Sequence, residues 1–177
     1  MTAPGHLSVL LTSKEIESKV LELAKEINRD YQAKCPILVG VLKGCFVFMA
    51  DLVRVLDIPV EVDFAIVSSY GAGMMSAGKV SVVQEPRCQI ENRDVLVIED
   101  IIDTGLTVNV FLDYLRSRNP SSVKLCALFD KPSRREVPVS IDYLGFTVPN
   151  VFVVGYGLDF NEKYRHLPDL CILEDRQ

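Results

Sequence analysis

The stretch Val95-Leu96-Val97-Ile98-Glu99-Asp100-Ile101-Ile102-Asp103-Thr104-Gly105-Leu106-Thr107 decides how the rest of the chain is read. An apolar run of buried-strand type ends in two adjacent carboxylates, Glu99 and Asp100. A third acid, Asp103, follows, and Thr-Gly-Leu-Thr leads into the helical pattern of Val108 to Leu115. Acids at the carboxyl end of a strand, followed by a small-residue turn at a helix start, suit a sugar phosphate. Backbone N–H groups and hydroxyls take the phosphate, and carboxylates take sugar hydroxyls, directly or through a metal. A strand, turn and capped helix with merely solvated acids would account for Asp103 alone. Three acids within five residues repel one another, which disfavours leaving them together unless cations or hydroxyls compensate.

Outward from this stretch, strands and helices alternate. Pro36 to Leu42 is apolar on both faces, as a central parallel strand should be, and Lys43-Gly44 turns it into a helical pattern from Phe46 to Leu56. Upstream, Ile16, Val20, Leu23, Ala24 and Ile27 recur at helical spacing, which predicts an amphipathic helix from Ser13 to Tyr31 with Ser13 as its cap. Val60 to Tyr70 is rich in β-branched and aromatic residues and is expected to be a strand. Gly71 to Lys79 is glycine-rich and aperiodic, with Val80 to Val83 as the return strand of a hairpin. Val95 to Ile98, a helix from about Thr107 to Arg118, and Val123 to Phe129 form a β-α-β unit. Asp130 to Ser140 is a basic, proline-containing loop, and Val151 to Tyr156 a further short strand. This alternation gives an α/β fold with a mainly parallel central sheet flanked by helices. Its ligands are expected outside the carboxyl ends of the strands, where Lys43, Glu99, Asp100 and Lys131 fall.

The bulk composition narrows the class. The chain has 177 residues, enough for one domain over 1–177 with a full core. It is 49% hydrophobic and 24% charged, with a formal charge of −5, which lowers the expectation of a nucleic-acid partner. Five scattered cysteines without a C-x-x-C pair imply reduced thiols in a cytoplasmic protein, with neither a disulfide framework nor a zinc site. Met1 to Leu11 has no basic segment before its short apolar run and is not expected to be a signal peptide. No apolar run reaches membrane-spanning length, so no membrane partner is expected. His6 and His166 have no partner motif, which argues against a histidine-based or metal-hydrolase mechanism.

The acid stretch resembles the phosphoribosyl pyrophosphate motif of the type I phosphoribosyltransferases. E-D-I-I-D-T-G-L-T, from Glu99 to Thr107, is more narrowly similar to the hypoxanthine-guanine phosphoribosyltransferases. The likeness runs from about Leu38 to Leu173. It takes in L-K-G at Leu42 to Gly44, S-S-Y-G at Ser68 to Gly71, Lys131 after a strand, and V-F-V-V-G-Y-G-L-D-F-N-E-K-Y-R from Val151 to Arg165. The resemblance implies the type I fold with a small hood and a mobile lid loop over Ser68 to Lys79. It also implies transfer of ribose 5-phosphate from phosphoribosyl pyrophosphate to N9 of a 6-oxopurine, with Mg2+ assisting. Homodimers or homotetramers are a further expectation of that family.

Residue roles follow from the same likeness. Thr104, Gly105, Leu106 and Thr107, with Asp103, would surround the 5-phosphate. Glu99 and Asp100 would hold the ribose hydroxyls and a hydrated Mg2+, and Asp103 would exchange a proton near purine N7. Lys43-Gly44 would meet pyrophosphate, with a cis peptide before Lys43; on its own it is only a turn with a surface lysine. The small residue that commonly follows this Gly is replaced here by Cys45. Lys131 would contact the purine 6-oxo group, selecting oxo over amino because an ammonium donates and never accepts; alone it is a surface lysine beside Arg134 and Arg135. Phe152 would stack on the base, pack in the core, or do both, and Val153 would add backbone hydrogen bonds. Asp159 would bind a second Mg2+, and Arg165 would meet pyrophosphate or pair with Glu162 on an acidic helical stretch. Ser69 and Tyr70 match the lid pair, whereas the tip A-G-M-M is less polar than usual there. Two other readings remain: a nucleotide- and RNA-binding regulator on this fold, and a transferase for adenine, orotate, uracil or xanthine.

Overall fold

The computed structural model describes residues 6–70 and 79–174. Its centre is the pair β2 (Ile37–Leu42) and β5 (Asp94–Ile102), parallel and in register from Ile37↔Val95 to Gly40↔Ile98. Alternation along these strands sends side chains to opposite layers. Leu38, Leu96 and Ile98 join a core with α1 (Ser13–Asp30) and α2 (Phe46–Val53). Ile37, Val39, Val95 and Val97 join a second core with α3 (Leu106–Arg116). Both faces are buried, which is why the strands are apolar throughout rather than alternating.

The main sheet has six strands in the order β4-β3-β2-β5-β6-β7. The remaining members are β3 (Glu61–Tyr70), β4 (Lys79–Gln84), β6 (Ser122–Asp130) and β7 (Tyr143–Thr147). All neighbours are parallel except β3 and β4, whose antiparallel pairing runs out to Tyr70↔Lys79. The expected lid, Ser68 to Lys79, therefore begins and ends on paired strand residues, and 71–78 lie outside the described residues. A second sheet of three antiparallel strands, β1 (His6–Leu11), β9 (Leu170–Glu174) and β8 (Val153–Val154), supplies the small hood.

Several boundaries differ from the sequence expectations. The cap of α1 is Thr12, not Ser13: Glu15 N donates to Thr12 Oγ1 at 3.4 Å and Thr12 N donates to Glu15 Oε2 at 2.8 Å, a reciprocal capping box. Helix α2 stops at Val53, and Val55 and Leu56 reach the core from the following turn. The stretch 160–163 is not helical; it closes as a tight turn through the bridge Phe160↔Lys163, with Asn161 and Glu162 at positive φ. Strand β5 continues through Ile102 because β6 stays paired with it to Ile102↔Asp130. Glu99 and Asp100 are thus strand residues, beyond the point where the pairing of β2 with β5 ends.

Candidate active site

The strand order changes direction between β2 and β5, and the acids lie at the carboxyl end of that junction, where open α/β sheets bind ligands. Beyond Ile98, β5 has β6 on one side and the Lys43-Gly44 turn on the other. The Leu42–Lys43 peptide is cis, as expected. Gly44 presses directly on Asp100: a Cβ at Gly44 would overlap Oδ2 and Cγ of that carboxylate. Gly157, at φ 98°, backs the same turn, since a Cβ there would overlap the Gly44 carbonyl oxygen. Cys45, fully buried at the start of α2, fills the space beside Gly40 rather than the loop's open side. Burial pushes its thiol well up, with Glu99 and Asp100 adding to the effect.

Two concavities meet along this edge. The smaller, about 220 Å³, is lined by Gly44, Glu99, Asp100, Asp103 and the turn Thr104, Gly105 and Thr107. Gly105 adopts φ 87° and caps α3, and Leu106 N donates to Thr104 Oγ1 at 3.4 Å. The larger, about 550 Å³, is lined by Asp100, Asp103, Lys131, Arg134, Phe152, Val153 and Asp159 among others. Asp100, Ile101 and Asp103 belong to both, whereas Glu99 faces only the smaller.

The electrostatics are uneven. Glu99 is only 7% exposed, and burial, then Asp100, raises its pKa well above the usual carboxylate range. Burial likewise lifts Asp100 to about 6, against the N–H groups of Ile101 and Asp100 and the charge of Arg165. Asp103 is approached at 2.8 Å by Arg134 Nε, an ion pair whose N–H is not aligned as a hydrogen bond. Lys131 is 7% exposed; its ammonium donates to the Val151 carbonyl at 2.7 Å, and burial lowers its pKa although Asp103 opposes the shift. Phe152 is not core: it is 52% exposed, with its ring edge-to-face against Phe160 at 5.6 Å. Val153 is buried.

Charged partners close the far side. Arg165 pairs with Asp159 at 2.7 Å and with Glu162 at 3.3 Å, and donates to the Gly157 carbonyl at 2.8 Å. Glu162 also takes Lys43 Nζ at 3.0 Å. Two features escaped the sequence reading. Phe160 is a second exposed ring, signalled only by its place in the motif around Asp159. Arg135 and Asp130 form a largely buried ion pair behind the Thr104 turn, legible in outline as an acid and an arginine flanking Lys131.

Comparison with known proteins bears directly on this geometry. Residues 6–161 match the family model of the phosphoribosyl transferase domain. Hypoxanthine-guanine phosphoribosyltransferase of Bacillus subtilis is 46% identical over 166 residues, covering 94% of this chain and 92% of that one. The chain belongs to the hypoxanthine-guanine phosphoribosyltransferase family. A crystal structure of the Bacillus anthracis hypoxanthine-guanine phosphoribosyltransferase superposes with a TM-score of 0.88 at 40% identity, covering 94% of this chain and 97% of that one. The bifunctional protein TilS/HprT of Listeria monocytogenes is 48% identical over 94% of this chain, which spans 26% of that protein's length. The type I phosphoribosyltransferase fold and hood thus agree with the family.

Proposed function

We propose that the chain transfers the 5-phosphoribosyl group from phosphoribosyl pyrophosphate to N9 of hypoxanthine or guanine, forming IMP or GMP and pyrophosphate. The observation that carries this reading is the shared edge of the two concavities. A turn with hydroxyls and a helix start, fit for a phosphate, and a recess with one buried ammonium and an exposed ring, fit for a 6-oxopurine, meet at Asp100 and Asp103.

In this reading Thr104, Gly105, Leu106 and Thr107 receive the 5-phosphate, aided by the positive end of α3. Phe152 stacks on the base, the Val153 backbone reads its edge, and Lys131 donates to the 6-oxo oxygen. The anomeric C–O bond to pyrophosphate breaks as the bond to N9 forms, and the base gives up a proton. Asp103 accepts or returns that proton near N7, a reading supported by its lining both recesses. Lys43, the Gly44 N–H and Arg165 meet the departing pyrophosphate, which would displace Glu162 from both cations. Ser69 and Tyr70, at the end of β3, complete the substrate set.

Mg2+ fits the donors present. Glu99 and Asp100 are hard oxygen ligands at the lip of the smaller recess, and a bound cation would offset the burial that disfavours their charge. Among the described residues no three His, Cys, Asp or Glu side chains cluster to hold a metal alone. Magnesium commonly takes one or two carboxylates and completes its shell with water and substrate phosphates. Glu99 and Asp100 would hold one ion and Asp159 a second; bound there, magnesium neutralises charge on the leaving group. No helix among the described residues is long and apolar enough to cross a membrane, and a cytoplasmic location completes the reading. Self-association is supported by an apolar groove of about 1260 Å³ between α1, α2 and residues 162–168, with Leu21 and Phe46 exposed along it.

The test is incubation with phosphoribosyl pyrophosphate, Mg2+ and each of hypoxanthine, guanine, xanthine and adenine, following nucleotide formation. Turnover of hypoxanthine or guanine is expected; none with either base would contradict the reading.

A further inference from the structure

The turn from Asp103 to Gly105 is held from behind by the segment that follows Lys131. Three successive carbonyls are engaged there. Ile102 O accepts from Lys131 N at 3.0 Å, Asp103 O from Arg135 Nη1 at 3.1 Å, and Thr104 O from Glu136 N at 2.9 Å and Val137 N at 3.3 Å. These peptides are trans; the cis bond among the described residues is Leu42–Lys43. In a trans peptide the C=O and the following N–H point in opposite directions. Anchoring the Asp103 and Thr104 carbonyls outward therefore turns the Thr104 and Gly105 N–H groups toward the interior of the turn. Neither N–H is spent on another group among the described residues. Successive amides facing one way make an anion-binding concavity.

Two of the three anchors are backbone. The third is a side chain, so it is the one that sequence can vary. Arg135 is 16% exposed and is itself held by Asp130, 11% exposed, through an ion pair. Its stem also packs where a side chain on Gly105 would otherwise go, with Cδ 3.1 Å from that site. A guanidinium with several donors in a fixed plane can serve a carboxylate and a carbonyl together.

We propose that Arg135, braced by Asp130, is a positioning residue that aims the Thr104 and Gly105 amides at the 5-phosphate. It touches no reacting atom. Its effect reaches the ligand through the Asp103 carbonyl, so it governs affinity for the phosphate and leaves recognition of the base alone. The inference rests on the functional reading above, in which this turn receives that phosphate.

Calorimetric titration with IMP and with inosine, which lacks the 5-phosphate, separates the possibilities. Two variants are needed, because Arg135→Met alone strands a buried carboxylate. The double variant Asp130→Asn/Arg135→Met leaves no unpaired charge, and Arg135→Lys restores one cationic donor. The double variant is expected to lose about tenfold or more in IMP affinity, the scale of a charge-assisted hydrogen bond. Its inosine affinity should be unchanged, and Arg135→Lys should fall between the double variant and the parent. Undiminished IMP affinity in the double variant would overturn the proposal. Equal losses for IMP and inosine would also overturn it, because they mark a merely structural role. A parent protein that binds IMP no more tightly than inosine would overturn the functional reading, and the proposal with it.

Discussion

Gly44 lies so close to the Asp100 carboxylate that a methyl group does not fit between them. The contact joins the Lys43-Gly44 turn to the acid strand, and Gly157 closes it from behind by leaving room for the Gly44 carbonyl. Moving any one of these segments moves the others. In Gly44→Ala either Asp100 or the turn must shift, and misplacement of a reacting group by about 1 Å costs roughly a hundredfold in rate. A drop of that order in kcat/KM for phosphoribosyl pyrophosphate is expected in steady-state kinetics. Wild-type kinetics would show that the two residues are not coupled.

Asp103 lines both recesses and carries the proton in the proposed mechanism. Asp103→Asn keeps the side chain's shape and removes its basicity. Its kcat should fall about 10²–10⁴-fold, the usual worth of general acid–base catalysis, while the dissociation constant for phosphoribosyl pyrophosphate holds. Equal turnover, or a loss confined to binding, would contradict the role.

How much of this was legible in the sequence depended on whether a residue's partners were near in the chain. Strands β2 and β5 and helices α1 and α3 showed themselves because burial on both faces, or on one helical stripe, leaves a local pattern. The hood did not. Strand β1 pairs with β9 from the other end of the chain, His6 with Glu174, and neither carries a signal of its own. The acids, Lys131 and Phe152 were visible through their motif, but the exposure of Phe152 was not, because V-F-V-V looks like core. Arg135 reads as a surface arginine until folding sets it against Asp130 and the Asp103 carbonyl.

Lys131 is buried on the larger recess, with its ammonium donating to the Val151 carbonyl, and in the proposed function it donates to the 6-oxo group. A site built to donate to an oxo group discriminates strongly against an analogue that lacks the acceptor. Lys131→Ala is expected to lower the ratio of kcat/KM for hypoxanthine over adenine by about tenfold or more. An unchanged ratio would count against the oxo contact.

The acid pair should cost stability in the metal-free protein. Asp100 titrates near 6 in the folded chain, above its ordinary value, so the folded state holds this proton more tightly than the unfolded state does. That contribution is complete below the unfolded pKa of about 4 and disappears as pH rises through about 6. Asp100→Asn stays neutral throughout. In urea denaturation with a chelator present, the variant should gain on the parent as pH rises from 4 to 7.5 and be the more stable at 7.5. A difference that does not change with pH would contradict the assignment.

The central claim is that a 6-oxopurine, not water, accepts the phosphoribosyl group. The most direct measurement follows pyrophosphate release and nucleotide formation together, with and without base. The account predicts release that requires hypoxanthine or guanine and matches the nucleotide formed one for one. Pyrophosphate released at the same rate without any base would contradict it.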